Sequence, residues 1–296
     1  MGDSKVTLAT LAALKARGEK AVFITAYDYP TATFVDRAGV DLILVGDSAA
    51  MTMLGMPNTL GIGMDEMLVF VRAVCRGAKR AFVVGDLPFL SYQPSDETAV
   101  LSAGAFVAAG CDAVKCEGGR RVVPRVRAMT DAGIAVMGHL GLTPQSLAQL
   151  GGYRVQGKTL DAVRRIADDA AALEDAGAFA VLLEAMPAQA AALVADRLGI
   201  LVYGIGAGPH VDGQLVISHD ALGNFVGEIR PRFVKRYAEV GRDIERAARE
   251  YAADVRAGRF PAEEHCYAIA AECEAAIRDA RGTPARVGSP YAQTLP

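Results

Sequence analysis

Short apolar runs alternate with amphipathic segments through the first 220 residues of the chain. Apolar runs without polar alternation are typical of strands buried on both faces, as the strands of parallel sheets are. We therefore predict seven parallel strands and a weaker eighth, in the runs at 21–27, 41–47, 81–87, 113–118, 135–141, 178–184, 201–206 and, less clearly, 214–220.

The segments between these runs have helical spacing and residues that cap helices. Thr159 is a candidate N-cap and Gly177 a candidate C-cap of one helix, and Ser95 can begin another that ends near Gly110. Eight strands that alternate with helices predict a (β/α)8 TIM barrel. A doubly wound open sheet is the alternative, but the first strands lack the G-x-G-x-x-G turn of dinucleotide-binding folds.

Extra helices are predicted at both ends of the chain. The segment up to Arg17 indicates a surface or capping helix, 231–255 indicates one long amphipathic helix, and 262–281 indicates another. Since no linker is evident, we predict a single domain over residues 1–296. Its C-terminal helices, at 230–282, are expected to cover the barrel or to join subunits.

Composition narrows the range of partners and compartments. Apolar residues make up 52% of the chain and predict a large core, while a net charge of −3 without a basic patch argues against nucleic acid. No apolar run reaches the roughly 18 residues of a membrane helix, and the N-terminal segment lacks a signal-peptide pattern. We expect a cytoplasmic protein without a membrane partner, and its five cysteines, which form no C-x-x-C pair, are expected in the core.

Ionisable residues stand at the ends of consecutive predicted strands. The carboxyl ends of barrel strands meet at one mouth, where active sites lie. A single acid there is often only the N-cap of the next helix. Five strand ends in succession are harder to explain as caps, and they carry Asp47, Asp86, Glu117 with Lys115 just before it, His139 and Glu184.

These residue types suit metal-assisted acid–base chemistry. Asp47, Asp86 and Glu117 can hold Mg²⁺ or another divalent cation, because such cations prefer oxygen ligands. Lys115 either binds a substrate carboxylate or forms a structural ion pair. His139 either contacts the substrate or packs in the core, and Glu184 can act as a general base.

Two loops have competing interpretations. The long uncharged loop that follows Ser48 is either a lid or subunit contact, or a packed hydrophobic plug. The sequence G-I-G-A-G-P-H at 204–210 is only a weak phosphate-binding pattern, and a pterin or substrate contact is at least as consistent with it.

Taken together, these segments resemble the ketopantoate hydroxymethyltransferase family over almost the whole chain. The matching stretches keep the family's order, and their number makes the resemblance specific. They are T-A-Y-D-Y-P-T-A (25–32), V-G-D-S (45–48), D-L-P-F (86–89), V-K-C-E-G-G (114–119), G-H-L-G-L-T-P-Q-S (138–146), G-G-Y-R-V-Q-G-K (151–158), L-L-E-A-M-P (182–187), G-I-G-A-G-P (204–209), D-G-Q (212–214), H-D-A-L-G (219–223), P-R-F-V-K-R-Y-A (231–238) and G-R-F-P-A-E-E-H (258–265).

The resemblance implies a barrel of the phosphoenolpyruvate/pyruvate type that assembles as a homo-oligomer, usually a decamer. It implies transfer of a one-carbon unit from 5,10-methylenetetrahydrofolate to 3-methyl-2-oxobutanoate, giving 2-dehydropantoate for pantothenate and coenzyme A. Its implied residue roles are Mg²⁺ ligation by Asp47 and Asp86 with Glu117 nearby, oxoacid binding by Asp47, Ser48, Asp86 and Lys115, and proton abstraction by Glu184. His139 is a further candidate for substrate binding.

The chain departs from the usual family pattern near the loop that follows Ser48. Ala49 and Ala50 replace Leu-Gly, and the segment 61–63 replaces Pro-Val-Thr. None of these changes removes a proposed functional group, and they bear on the acyl chain that the site accepts.

Two other functions are consistent with a barrel of this kind: a metal-dependent carbon–carbon or phosphorus–carbon lyase of the same superfamily, and a non-catalytic binding barrel.

Overall fold

A computed structural model describes residues 4–227 and 231–280 of the chain. Eight parallel strands form a closed barrel in sequence order, and pairing of β1 with β8 closes it. The predicted strands are all present, as β1 (Ala21–Thr25), β2 (Leu42–Val45), β3 (Phe82–Asp86), β4 (Ala113–Glu117), β5 (Val136–Gly141), β6 (Ala180–Glu184), β7 (Leu201–Ile205) and β8 (Gly213–Val216).

Helices follow the strands, as the alternation of the sequence predicts. Ser95 and Thr159 are N-caps, and each hydroxyl accepts a hydrogen bond from a backbone N–H three residues later. The helices are α1 (Leu8–Ala16), α2 (Tyr29–Arg37), α3 (Ala49–Thr52), α4 (Met64–Gly77), α5 (Asp96–Ala108), α6 (Val123–Asp131), α7 (Leu147–Leu150), α8 (Leu160–Asp175), α9 (Ala188–Ala195), α10 (Ser218–Leu222), α11 (Val240–Arg256) and α12 (Ala271–Ala280).

The hydrophobic core has two layers, one on each face of the barrel strands. Outward-facing residues such as Val83 and Val181 pack with helix residues such as Leu173. Inward-facing residues fill the barrel, and Leu11 of α1 packs with them. The predicted N-terminal capping helix therefore contributes to the inner core, and Lys15 fixes it through an ion pair with Asp212 over 3.0 Å.

The segment 231–255 is not one helix, so that prediction is wrong for its first part. Helix α11 begins only at Val240. Before it, the Tyr237 N–H donates to Ala221 O over 2.7 Å, and in the first turn of α11 the Gly241 N–H donates to Gly223 O over 3.3 Å. These long-range backbone bonds replace the local bonds that a helix would make, because tertiary contacts outweigh weak helical preference.

Three further expectations need correction. The second half of the run at 214–220 belongs to α10 rather than to a strand, and the helix expected at 262–281 begins only at Ala271. Before it, a 3₁₀ turn over Glu263–His265 ends where Cys266 adopts extended backbone; residue 281 lies outside the described residues. Cys266 and Cys273 are exposed rather than in the core, whereas Cys111 and Cys116 are buried.

The chain divides into two compact units, Met1–Gly241 and Arg242–Pro296. The single domain over 1–296, and the covering or subunit-joining role of residues 230–282, stay predictions. Within the ranges 4–227 and 231–280, no helix has the length and apolar character needed to cross a membrane.

Candidate active site

A cavity of about 630 Å³ opens at the carboxyl ends of the barrel strands. The register of the parallel strands brings these ends to one mouth, so residues far apart in sequence share its walls. All seven predicted site residues line this cavity, namely Asp47, Ser48, Asp86, Lys115, Glu117, His139 and Glu184.

A buried ion pair lies at the base of the cavity. Lys115 Nζ is 2.7 Å from Asp86 Oδ1, and both side chains are 2% exposed. The two residues are register partners on neighbouring strands, so the sheet itself brings them together. Burial lowers the pKa of Lys115, but Asp86, Glu117 and Asp47 outweigh this effect and raise it, so the ammonium stays charged.

Three carboxylates surround this ammonium. The Asp47 N–H donates to Asp86 Oδ2 over 3.1 Å, which links β2 to β3. Burial raises the pKa of Asp47 and of Asp86, and raises that of Glu117 to about 7. One lysine does not compensate three buried acids, so this cluster favours an additional cation or proton.

The donor set of the cluster fits a hard divalent cation. Glu117 Oε1 is buried and lacks a hydrogen bond from any described residue; His139 Nδ1 lies 3.4 Å from it. Within the described part of the chain, no group of three or more His, Cys, Asp or Glu side chains is already arranged around a metal position. This is compatible with Mg²⁺, which usually takes one or two carboxylates and completes its octahedron with water and substrate oxygens.

His139 connects the lysine to Glu184. Its Nδ1 is 3.2 Å from Lys115 Nζ, and its Nε2 is 3.2 Å from Glu184 Oε2. Burial and Lys115 lower its pKa, so the ring is neutral. Because a charged ammonium only donates, Nδ1 accepts and Nε2 carries the proton. Nε2 is close to Glu184 but makes no hydrogen bond to a described residue in this geometry. The structure thus places His139 between two proposed functional groups, and its contact with substrate stays a prediction.

Glu184 differs from the other acids in its exposure. Its side chain is 17% exposed, whereas Asp86 and Glu117 are almost fully buried. It ends β6 next to Gly141 of β5, whose φ is +88° and where an added Cβ would overlap the Glu184 backbone. The glycine therefore permits the close approach of the two strand ends that positions this carboxylate.

Ser48 reaches the cavity from the start of α3, and its hydroxyl lies 2.8 Å from that of Tyr27. The residues of the loop that follows Ser48 lie in two different environments, and each of the two interpretations from the sequence fits one of them. Ala49, Ala50 and Ile62 are buried in the core, whereas Met51, Thr52 and Thr59 line the cavity. One side of the loop therefore packs and the other forms part of the wall; closure as a lid stays a prediction.

Sequence reasoning missed a second set of residues at the mouth. Gln145 donates to the carboxylate of Asp47, and the Tyr92 hydroxyl contacts the backbone of Glu117. Tyr153, Arg154 and Phe233 line the cavity. Gln145 lies in a motif that the family resemblance contains, but no spacing rule connects it to the strand ends. Residue 206, within the glycine-rich segment, also lines the cavity.

The closed barrel and the ionisable mouth together define an enzyme of the (β/α)8-barrel class. Two solved structures share the fold. Phosphonopyruvate hydrolase in complex with oxalate and Mg²⁺ has a TM-score of 0.59 at 14% identity, covering 95% of this chain and 98% of that one. For 2,3-dimethylmalate lyase, a member of the phosphoenolpyruvate mutase/isocitrate lyase superfamily, the TM-score is 0.55 at 17% identity, with 94% and 100% covered. The predicted (β/α)8 fold is confirmed.

The family model described as ketopantoate hydroxymethyltransferase matches residues 5–263. Curated 3-methyl-2-oxobutanoate hydroxymethyltransferases are similar over most of their length. The Moorella thermoacetica protein is 52% identical, covering 89% of this chain and 98% of that protein, and the Syntrophobacter fumaroxidans protein is 50% identical, covering 90% and 94%. The chain belongs to the ketopantoate hydroxymethyltransferase family, as the sequence motifs predict.

Proposed function

We propose that this enzyme transfers a hydroxymethyl group from 5,10-methylenetetrahydrofolate to 3-methyl-2-oxobutanoate, giving 2-dehydropantoate. The observation that carries the proposal is the gathering of seven family-matched residues around one cavity, with acids and a lysine at its base and Glu184 at its side. The relatives that share about half of its sequence carry the name of this activity.

The base of the cavity suits a 2-oxoacid and a divalent cation. Asp47 and Asp86 would hold the cation, with Glu117 near it. When bound, the cation supplies a Lewis acid beside the substrate's keto oxygen and carboxylate. Lys115 contributes a fixed positive charge for the carboxylate and for the negative charge that develops on the keto oxygen. The Ser48 hydroxyl, held by Tyr27, adds a hydrogen bond.

Glu184 is the proposed base. It accepts the proton from C3 of the oxoacid, and the electron pair of the broken C–H bond becomes the enolate. His139 Nε2 lies 3.2 Å from the Glu184 carboxylate, and a neutral ring at this position leaves the carboxylate free to act as the base. Lys115 lies on the other side of the same ring, so base and positive charge stay apart. This separation lets the proton and the new negative charge move to different groups.

The second half of the reaction joins two carbons. A bond forms between C3 and the one-carbon unit, and both carbon–nitrogen bonds that join this unit to folate break. One water supplies the hydroxyl oxygen, and the two released nitrogens take up the proton removed from C3 and one proton from that water. The remaining product is tetrahydrofolate. The outer cavity, with apolar residues such as Leu142, Ile205 and Phe233, limits access of bulk water to the enolate.

The wider setting is part of the same proposal. The product supplies pantothenate and coenzyme A synthesis in the cytoplasm, and the enzyme works as a homo-oligomer, expected to be a decamer. These points rest on membership of the family.

Proton NMR of 3-methyl-2-oxobutanoate in D₂O tests the proposal. With enzyme and Mg²⁺, the C3 proton signal should disappear, and 2-dehydropantoate should form once methylenetetrahydrofolate is added. The Glu184→Gln variant should keep Mg²⁺ and oxoacid binding but lose the exchange, while Glu97→Gln, at an exposed acid of α5, should match the wild type. Wild-type exchange in Glu184→Gln would remove Glu184 from its role, and absence of exchange in folded wild-type enzyme would refute the proposed function.

A further inference from the structure

Gln145 is a buried residue without a part in the proposed reaction, yet it contacts two carboxylates of the cluster. Its backbone N–H donates to Glu117 Oε2 over 2.9 Å. Its side-chain Nε2 donates to Asp47 Oδ2 over 3.0 Å and to Leu87 O over 2.9 Å. One residue therefore holds one oxygen of a carboxylate from each of two different strand ends.

The partners of the Gln145 amide fix its orientation. The carboxylate of Asp47 and the carbonyl of Leu87 only accept hydrogen bonds, so the NH₂ group must face them. On the opposite side, Oε1 accepts from Tyr92 OH over 2.9 Å and from Gln93 Nε2 over 3.1 Å. Both hydrogens and both lone pairs of the amide are thus in use, and a flipped amide would lose its bonds to Asp47, Leu87 and Gln93.

Tyr92 links this amide to the neighbouring strand end. Its ring is fully buried, and its hydroxyl accepts from the Glu117 N–H over 2.9 Å. The same hydroxyl lies 3.0 Å from Glu117 O. Because the hydroxyl contacts both the backbone of Glu117 and the side chain of Gln145, rotation of the Gln145 amide is resisted from both of its ends.

We infer that Gln145 is a positioning residue, which holds the carboxylates of Asp47 and Glu117 in the orientation that a divalent cation requires. This inference rests on the proposed function. Without the two bonds from Gln145, each carboxylate is free to turn toward Lys115 or away from the other acid, and cation binding must first reverse that rotation. Partners of metal ligands typically change metal affinity by about 10- to 100-fold when they are removed.

Titration of the full-length enzyme with Mn²⁺, followed by electron paramagnetic resonance of the free ion, measures the effect. Gln145→Leu keeps a similar volume and loses the side-chain bonds, so its Mn²⁺ affinity should fall about 10- to 100-fold. Gln149→Leu is the matched control, since Gln149 follows in the same stretch but is exposed, and its side chain accepts a hydrogen bond from Arg121 rather than contacting the acids. Its affinity should equal that of the wild type.

A second readout separates positioning from general structural damage. High Mn²⁺ concentration should restore C3–deuterium exchange in Gln145→Leu, because a weakened site fills again, whereas a misfolded site would not recover. Tyr92→Phe keeps the ring and removes the hydroxyl, and its affinity should fall by a smaller factor; it provides the test if Gln145→Leu does not fold. Unchanged affinity in the folded variants, beside tight binding by the wild type, overturns the role of Gln145. Absence of Mn²⁺ binding by the wild type overturns the proposed function with it.

Discussion

Without a cation, the acids at the mouth should make the fold less stable as pH rises. The pKa of Glu117 is 4.5 in an ordinary setting and about 7 in the folded chain, chiefly because the side chain is buried. A raised pKa means that the folded state holds a proton which the unfolded state releases. The resulting stability is fully present below about pH 4.5 and is lost as pH rises through about 7. For Glu117 alone, the loss between about pH 5 and pH 8 is about 2.5 kcal/mol.

Urea denaturation in chelator at these two pH values, for wild type and Glu117→Gln, measures that quantity. His139 and His219 have lowered pKa values, chiefly through burial, and their contributions run in the opposite direction. These two residues are common to both proteins, so the difference between the two pH dependences reports Glu117 together with its coupling to Asp47 and Asp86, whose pKa values it raises. Glutamine still offers an oxygen to the Gln145 N–H, which preserves the local bond.

The expected result is a wild-type free energy of unfolding that falls by about 2.5 kcal/mol more than that of the variant. Mg²⁺ should stabilise the wild type more at the higher pH, because the ion competes with protons for the same oxygens. If the free energy of unfolding changed with pH by the same amount in wild type and Glu117→Gln, the reasoning would be refuted. Glu97→Gln, at an exposed carboxylate, should follow the wild type.

Three other substitutions distinguish parts of the structure. Lys115→Met leaves Asp86 without its partner, so urea denaturation in chelator near pH 8 should show a free energy of unfolding that is lower by about 3–5 kcal/mol. The loss should be smaller near pH 5, where the acids protonate. Equal losses at the two pH values would contradict the ion-pair argument. Gly141→Ala places a side chain on a residue with φ +88° beside Glu184, so the free energy of unfolding should fall by about 1–3 kcal/mol. C3 exchange measured by NMR should be slower than in the wild type. Exchange at the wild-type rate would contradict a role of Gly141 in positioning Glu184. Thr159→Ala removes a helix cap, and denaturation should show a loss of about 1 kcal/mol with exchange unchanged.

The sequence predicted the strands and the strand-end residues for a simple physical reason. Strands buried on both faces are marked by continuous apolar runs, and parallel strands bring their carboxyl ends together. Asp86 ends one predicted strand and Lys115 lies two residues before the end of the next, and this was enough to predict that they are close. The eighth strand was less clear because β8 has an exposed position at Gln214, which interrupts the apolar run.

What the sequence could not predict depends on paths outside the strands. Gln145 reaches Asp47 only because the chain after β5 turns through a short 3₁₀ segment, and the two residues are 98 positions apart. The non-helical segment before Val240 likewise depends on backbone bonds to the region of α10. Local pattern carries no information about such contacts, since they depend on the position of a distant part of the chain.

Closure of the barrel has a consequence for when this protein can work. The proposed catalytic and ligand residues all precede Ala185, so a nascent chain already contains every reactive group long before its last strand is made. The barrel closes only when Ala21–Ile24 pair with Gly213–Val216. Until then the acids, the lysine and the base cannot share the mouth of a closed barrel. Catalytic turnover is therefore a direct report that synthesis has passed residue 216 and that the two ends of the sheet have met.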